Sequence, residues 1–237
     1  MKPRAHKPAA LPGGSRIFQR MYTRLGCQGR PPHFVVELYP YANLMHTIRI
    51  REDVAEVRLS DLLRGAPLEV LEATAAVLLA RLYRRRVPRQ MQQIYRNFSL
   101  ARGTRRRILR VRRTRGRRVE HGPQGEFHDL SRLFARLNRR YFTARLHRPR
   151  LGWSARAWRS QLGCFDPALG QIVINQRLDR ASVPRYVVEY VLFHEMLHVK
   201  HPLRAAACGL QAHSAEFHKE EHRYPNYEKA RRFLLRM

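Results

Sequence analysis

The feature that most constrains this chain is an apolar segment at residues 185–199, which also carries two histidines and a glutamate. Apolar side chains point in nearly every direction around a helix of this sequence, a pattern typical of a buried helix. Val187, Val191, His194 and His198 fall on one stripe of that helix. Burying imidazoles and a carboxylate without partners costs free energy, and a bound metal ion supplies a partner. The segment therefore predicts a metal site inside a folded domain.

The spacing of His194, Glu195 and His198 is that of an HExxH motif. Residues four apart share a helix face, so both imidazoles can reach one ion while Glu195 lies about a quarter of a turn away. Catalytic Zn²⁺ takes such nitrogen ligands, and a carboxylate beside it can accept a proton from water. Twelve histidines make a chance match more frequent, but the apolar context argues against chance. We expect one Zn²⁺ ion, with Glu195 as general base.

A catalytic zinc needs a third protein ligand, and we expect it after the helix, beyond the break at Pro202 and Gly209. Spacing alone leaves four candidates open, namely His213, Glu216, His218 and Glu220. Cys208 is a weaker candidate, because the histidines already fill the site.

Further motifs surround the HExxH helix. They are Leu-Phe-x-x-Leu-Asn-x-x-Tyr-Phe at 133–142, Leu-Gly-Trp-Ser at 151–154, Leu-Gly at 162–163, Ile-Val-Ile-Asn at 172–175 and His-Ser-x-x-Phe at 213–217. In these motifs, residues 127–237 resemble the SprT-like zinc metalloproteases, which include the Spartan-type proteases that act on DNA–protein crosslinks. The resemblance implies an α+β, zincin-like domain in which a small β-sheet packs on the HExxH helix. It also implies His194, His198 and His213 as zinc ligands. His201, His218 and His222 are extra histidines that leave additional ligation open.

The charge of the chain is far from neutral, with 47 Lys and Arg residues against 18 Asp and Glu residues. Ten arginines lie between Arg102 and Arg118. Such a run favours sequence-independent, salt-sensitive binding to DNA or another nucleic acid. The candidate contacts are Arg105, Arg106, Arg107, Arg110, Arg112 and Arg113. The alternative is a solvated linker that its like charges keep extended.

Composition and hydrophobic patterning divide the chain into four segments. Residues 1–31 are predicted to be a mostly disordered basic tail, in which Ile17, Phe18, Met21 and Tyr22 could form a short turn of helix. Residues 32–98 form an α+β segment with strands at 33–39, 47–50 and 54–59 and a helix at 68–84. Residues 99–126 form an arginine-rich linker or arm, and residues 127–237 the catalytic domain.

Within the catalytic domain, Asp129 is expected to cap a helix through Tyr141. Strands are predicted at 151–158, 161–165 and 171–175, and a terminal helix at 224–237.

One internal likeness links the two halves. Matching Pro67 to Pro184 also matches Glu72 to Glu189, and it sets Val77, Leu78 and Arg81 against His194, Glu195 and His198. One interpretation is a degenerate repeat that has lost its metal site. The other interpretation is that strand–turn–helix units commonly look alike. We favour this second interpretation, because one pair of similar segments is a weak signal of a repeat.

The sparse cysteines lack a CxxC pair and no apolar window approaches eighteen residues, so we expect a protein of the reducing cytoplasm, at the nucleoid if it binds DNA. The leading hypothesis is a zinc-dependent peptidase with a protein or peptide substrate. His222, Arg223 and Tyr224 are candidate donors to the oxyanion. The alternatives are a zinc hydrolase of a non-peptide substrate and a nucleic-acid-binding protein with a non-catalytic zinc site.

Overall fold

The computed structural model describes residues 8–116, 120–201, 204–206 and 209–237. The chain forms two compact units, residues 1–116 and residues 117–237. The boundary between the two units falls within residues 99–126, the segment predicted as an arginine-rich linker or arm. Across the described ranges, no helix is long and apolar enough to span a membrane.

The first unit is a small α+β fold built on a four-stranded sheet. Its elements are β1 (Ala9–Ala10), α1 (Gly14–Arg24), β2 (His33–Tyr39), β3 (Thr47–Arg51), β4 (Val54–Ser60), a 3₁₀ turn (Asp61–Leu63), α2 (Leu68–Leu82), α3 (Arg89–Leu100) and α4 (Arg102–Arg115). The strand order is β1-β2-β4-β3. Strands β2 and β4 are parallel, whereas β1 and β3 run antiparallel to their neighbours. The strands and the helix predicted between residues 33 and 84 are confirmed.

The prediction of a disordered tail is wrong for α1. Four of its large side chains (Ile17, Phe18, Met21 and Tyr22) are buried. These residues recur at helical spacing and pack with β2 and α2 into the core of the unit. The sequence suggested a short helical turn at these four residues, but the Pro, Gly and basic residues around them concealed that the helix is 11 residues long.

The arginine-rich segment is a helix and not an extended arm. Thr104, Ile108 and Val111 lie on the inner side of α4, where they are buried or half-buried. Arg115 anchors the helix end, because its guanidinium contacts both carboxylate oxygens of Asp61 at 2.9 Å. Apolar residues three and four positions apart give the helix a side that can pack, which the charge of the run obscured.

The second unit also has a four-stranded sheet and four α-helices in its described residues. Its elements are β5 (Glu120–His121), α5 (Leu130–Phe142), β6 (Arg150–Ser154), β7 (Gly163–Asp166), β8 (Gln171–Ile174), a 3₁₀ turn (Gln176–Leu178), α6 (Arg185–Lys200), β9 (Arg204–Ala206), β10 (Gly209–Gln211), α7 (Ala215–Glu221) and α8 (Tyr227–Leu234). The strand order is β5-β6-β8-β7, with β6 parallel to β8. Strands β9 and β10 form a separate antiparallel pair.

Helix α6 lies at the centre of the second unit. It packs on β7, β8, α5, α7 and α8. Ten of its residues, from Val187 to Leu197, are buried. Asp129 caps α5 as predicted, since its carboxylate accepts hydrogen bonds from the amides of Ser131 and Arg132. The predicted strand 151–158 is shorter in the structure, because β6 ends at Ser154.

Candidate metal and catalytic site

The HExxH residues lie in the third and fourth turns of α6. Pro184 precedes the helix, where its fixed φ and missing N–H are tolerated. Apolar neighbours hold the helix on all sides, so the directions of His194, Glu195 and His198 are set by the core. Glu195 is 6% exposed, whereas both histidines are half-buried.

His213 completes a cluster of three imidazoles. One ligand atom from each of His194, His198 and His213 lies within 4.8 Å of the others, and Nε2 of His213 is 3.2 Å from Nε2 of His198. Burial, followed by the neighbouring histidines, lowers the pKa of His198 to about 4. Burial also lowers the pKa of His213. Both rings are therefore neutral near pH 7, the state in which imidazole binds a metal.

The ring of Phe217 packs against all three histidines of the cluster. It is fully buried, and its ring centroid lies 4.7 to 5.1 Å from those of His194, His198 and His213. The side chain of Ser214 caps α7 by accepting a hydrogen bond from the amide of Phe217 at 3.2 Å. The cap fixes the start of α7 and so positions His213 and Phe217 together.

Glu221 orients His194. Its Oε1 lies 2.7 Å from Nδ1 of His194 and accepts a hydrogen bond from the hydroxyl of Tyr190 at 2.9 Å. Burial alone would raise the pKa of Glu221, but hydrogen bonds from His194, Tyr190 and His218 outweigh it and hold the pKa at about 2. An ionised carboxylate only accepts, so Nδ1 of His194 carries the proton and the lone pair of Nε2 remains available to a metal.

Glu195 follows His194 on α6, and its carboxylate lies beside Gly163 of β7. Burial raises its pKa to about 7, although His194 and the backbone amide of Phe165 oppose the rise. Gly163 on β7 approaches the carboxylate so closely that a Cβ there would lie 2.7 Å from Oε1. The glycine therefore makes room for Glu195 between α6 and β7.

A cleft of about 570 Å³ opens over the cluster. Its lining comes from the segment before β7, from α6, from the third histidine and from α8. The lining residues are Ser160, Gln161, Leu162, Gly163, Tyr190, Val191, His194, Glu195, His213, Arg231, Leu234 and Leu235.

The other predicted ligands do not join the cluster. Glu220 contacts Lys200 at 2.6 Å and His201 at 3.2 Å, and Glu216 and His218 lie outside the group of three histidines. His222 contacts the carbonyl of His218. Cys208 lies outside the described residues. Of the four candidates that spacing left open, His213 is the one that the structure places beside His194 and His198.

The predicted oxyanion donors do not line the cleft either. The hydroxyl of Tyr224 donates to the carbonyl of Tyr186 at 2.9 Å, and His222 packs against Tyr227. Arg223 is exposed and is not among the residues lining the cleft.

Sequence reasoning missed Glu221, Tyr190, Gly163 and Arg231. A signal for Glu221 exists, because it stands four residues after the buried Phe217 and so shares the inward face of α7. No comparable signal separates Gly163 or Arg231 from the other glycines and arginines of the chain.

The predicted nucleic-acid contacts all lie on α4 of the first unit. Arg106, Arg107, Arg110 and Arg113 are exposed, whereas Arg105 and Arg112 are half-buried on the inner side. The structure therefore divides the six predicted residues between two faces of one helix.

Comparison with known proteins adds a family match over the second unit. Residues 129–237 match the family model described as YgjP-like, metallopeptidase domain. No significant match was found among curated proteins or among solved structures. The match supports a metallopeptidase domain in this part of the chain. The sequence resemblance also predicted a metallopeptidase domain here. It does not single out the related SprT-like family.

Proposed function

We propose that the second unit is a zinc-dependent peptidase of zincin-like fold, in which Glu195 is the general base. The observation that carries the proposal is the convergence of three imidazoles beside a buried carboxylate, in a cleft of a domain that matches a metallopeptidase family.

The residues at the site fit a zinc ion. Three nitrogen donors leave one tetrahedral position open for water or substrate, as catalytic zinc sites require. Glu221 supplies the carboxylate that such sites place behind a ligating imidazole. An ion held by His194, His198 and His213 would polarise the scissile carbonyl and lower the pKa of a bound water.

Glu195 moves the proton. A carboxylate with a pKa of about 7 is well matched to accept a proton from the attacking water near neutral pH and to return it to the departing amine. The closeness of Gly163 confines the carboxylate, so Glu195 is held in one orientation for both transfers.

A peptide fits the shape of the cleft. Strand β7 is at one edge of its sheet in the described part of the chain, and its first residue lines the cleft. An edge strand can hold an extended peptide by main-chain hydrogen bonds. Leu234 and Leu235 add apolar lining, and Arg231 adds a positive charge at the wall.

The test compares Glu195→Gln with Glu228→Gln, which makes the same change at an exposed position of α8. Zinc-loaded protein is incubated with casein, and zinc content is measured by mass spectrometry on the same samples. We expect Glu195→Gln to keep one zinc ion per chain and to lose casein cleavage, while Glu228→Gln keeps both. Unchanged cleavage by Glu195→Gln would refute the assigned base.

Two other outcomes would replace the proposal. Hydrolysis of ester or amide reagents without cleavage of casein or histones would favour a non-peptide hydrolase. Zinc binding with no hydrolysis at all would favour a non-catalytic zinc site in a nucleic-acid-binding protein.

A further inference from the structure

We propose that the first unit is a second copy of the catalytic fold that has lost its metal site and binds nucleic acid through the arginines of α4. Four independent likenesses between the two units support the duplication. The exposed face of α4 supports the binding function.

The two sheets have one topology. In each unit the order is a short antiparallel strand, a central strand, a strand parallel to it and an antiparallel edge strand. A helix precedes the central strand in both units, as α1 and as α5. A 3₁₀ turn and a long helix follow the parallel strand in both units.

The turns after the parallel strands are capped in the same way. The side chain of Ser60 accepts a hydrogen bond from the amide of Leu62, and the side chain of Asn175 accepts one from the amide of Arg177. A proline then begins each long helix, Pro67 for α2 and Pro184 for α6. Ser60 and Asn175 therefore occupy equivalent positions.

The helices share a motif and an ion pair. Helix α1 contains Ser-Arg-Ile-Phe-Gln-Arg-Met from Ser15, and α5 contains Ser-Arg-Leu-Phe-Ala-Arg-Leu from Ser131. The second arginine of each motif pairs with a glutamate of the long helix. Arg20 contacts Glu72 on α2 at 3.2 Å, and Arg136 contacts Glu189 on α6. Each glutamate stands five residues after its helix-starting proline. Unrelated strand–turn–helix units would not share an ion pair at matching positions.

In the second unit Gly163 makes room for Glu195, whereas the equivalent position in the first unit carries a larger residue. From the cap equivalence and the strand registers, His46 stands where Gly163 stands in the second unit. Nδ1 of His46 accepts a hydrogen bond from the amide of Ser60, as the carbonyl of Leu162 does from the amide of Asn175. Leu78 stands in place of Glu195, so no carboxylate is present there to need the space that a glycine provides.

The metal ligands are absent from α2. Val77 and Arg81 replace the two histidines of the motif. Across the described residues, the only group of three side chains that could hold an ion is His194, His198 and His213. The first unit therefore has no site from which to hydrolyse a peptide by this chemistry.

The two units diverge after the long helix. The catalytic unit continues to His213 and Glu221, whereas the first unit continues into α3 and α4. No Asp or Glu occurs between Glu72 and Glu120. The exposed face of α4 carries five arginines, namely Arg102, Arg106, Arg107, Arg110 and Arg113.

This face fits a phosphate backbone. Arg102, Arg106, Arg110 and Arg113 are three or four residues apart and so form one row along the helix, about 16 Å long at 1.5 Å per residue. Guanidinium groups match phosphate oxygens in two-point contacts. A nucleic acid offers a comparably dense row of negative charge, which offsets the repulsion among the arginines. Binding also releases the counterions of the phosphates, and this release favours the complex.

The experiment measures binding of a fluorescent single-stranded or double-stranded oligonucleotide to the full chain by anisotropy at several salt concentrations. The test variant is Arg106→Gln, Arg110→Gln and Arg113→Gln. The matched control is Arg139→Gln, Arg145→Gln and Arg156→Gln, which removes the same charge from exposed positions of the second unit. We expect the test variant to weaken binding at least ten-fold and to reduce the slope of log K against log salt by about 2 to 3. The control should stay close to wild type.

Equal losses in both triple variants would overturn the assignment to α4, because they would show that net charge alone drives binding. Absence of oligonucleotide binding at moderate salt would also overturn it, and so would α4-dependent binding to phosphatidylserine vesicles without binding to the oligonucleotide.

The loss of the metal site is tested separately. His194→Ala combined with His198→Ala should reduce zinc from one ion per chain to none, with oligonucleotide affinity retained. A full zinc equivalent remaining in this variant would show that the first unit still binds metal. Because oligonucleotide binding is measured without hydrolysis, failure of the proposed peptidase activity would leave this test intact.

Discussion

Oε1 of Glu221 lies 2.7 Å from Nδ1 of His194 and also accepts a hydrogen bond from the hydroxyl of Tyr190. Two different helices thus fix the imidazole of His194. Helix α6 carries the residue, and Glu221 on α7 holds its Nδ1 by a hydrogen bond. The tautomer follows from this contact, since the acceptor is an ionised carboxylate.

Replacing Glu221 by Gln should weaken zinc binding by about 10 to 100-fold, the usual effect of removing the partner of a ligating histidine. The neighbouring Glu220→Gln is the control, because Glu220 contacts Lys200 and not the cluster. Zinc affinity is measured by competition with a chromophoric chelator. Equal affinities of the two variants would remove Glu221 from the support of the site.

Gly163→Ala should impair hydrolysis without removing zinc. The new methyl group would lie 2.7 Å from Oε1 of Glu195, so the carboxylate must move, and a displacement of about 1 Å can cost about 100-fold in rate. Gly122→Ala is the control, because a Cβ there meets nothing within 4 Å. The measurements are kcat on a peptide substrate and zinc content. A kcat equal to that of the control would show that Glu195 tolerates the methyl group.

The sequence predicted the histidine cluster better than its supports. Two of the proposed ligands and the proposed base share one helix at fixed spacing, so local periodicity was enough to single them out. His213 needed a family resemblance, because the loop that returns it to α6 leaves no periodic signal. Gly163 approaches Glu195 through strand pairing, and such long-range contacts cannot be read from neighbouring residues.

The fold of the first unit was predicted in part. Strands β2, β3 and β4 and helix α2 have clear apolar periodicity, and they were found. Helix α1 was predicted only as a short turn and α4 was missed, because composition was weighed above spacing, although Phe18 and Ile108 lie in regular apolar rows. The shared Ser-Arg-x-Phe motif of α1 and α5 is visible in the sequence, but its meaning depends on the ion pairs that the structure shows.

His46 should make the stability of the first unit depend on pH. Burial lowers its pKa to about 4 from an ordinary value of 6.5. The unfolded chain therefore binds more protons between these values, and stability falls as pH drops from about 6.5 to about 4. Above about pH 6.5 the ring of His46 is neutral in both the folded and the unfolded chain, so its effect on stability no longer changes with pH. At 1.36 kcal/mol per pKa unit, the loss is at most about 3 kcal/mol.

The measurement for His46 is hydrogen exchange of α1 and β4 peptides at pH 7.5 and 5, with rates corrected for intrinsic exchange. His46→Gln should show a smaller pH difference than wild type, while His33→Gln, at an exposed position of β2, should not. A wild-type pH difference retained by His46→Gln would assign the effect to another group.

The two equivalent glutamates should differ in energetic weight. Glu189 is 8% exposed and contacts Arg136, Arg185 and Tyr224, whereas Glu72, whose side chain is 17% exposed, pairs with Arg20. The side chains of the arginine partners are 41% exposed for Arg136 and 57% exposed for both Arg185 and Arg20, so each ion pair alone contributes about 1 kcal/mol or less. Glu189→Gln should therefore destabilise its unit more than Glu72→Gln does, because it weakens three contacts of one buried carboxylate.

Each unit has its own readout for this comparison. Both tryptophans lie in the second unit, so their fluorescence during urea unfolding reports Glu189→Gln, while hydrogen exchange of α1 and α2 peptides reports Glu72→Gln. Similar losses in the two variants would mean that the additional contacts of Glu189 do not contribute to stability. A larger loss for Glu189→Gln would show that the second unit depends more on its contact between α5 and α6 than the first unit depends on its contact between α1 and α2.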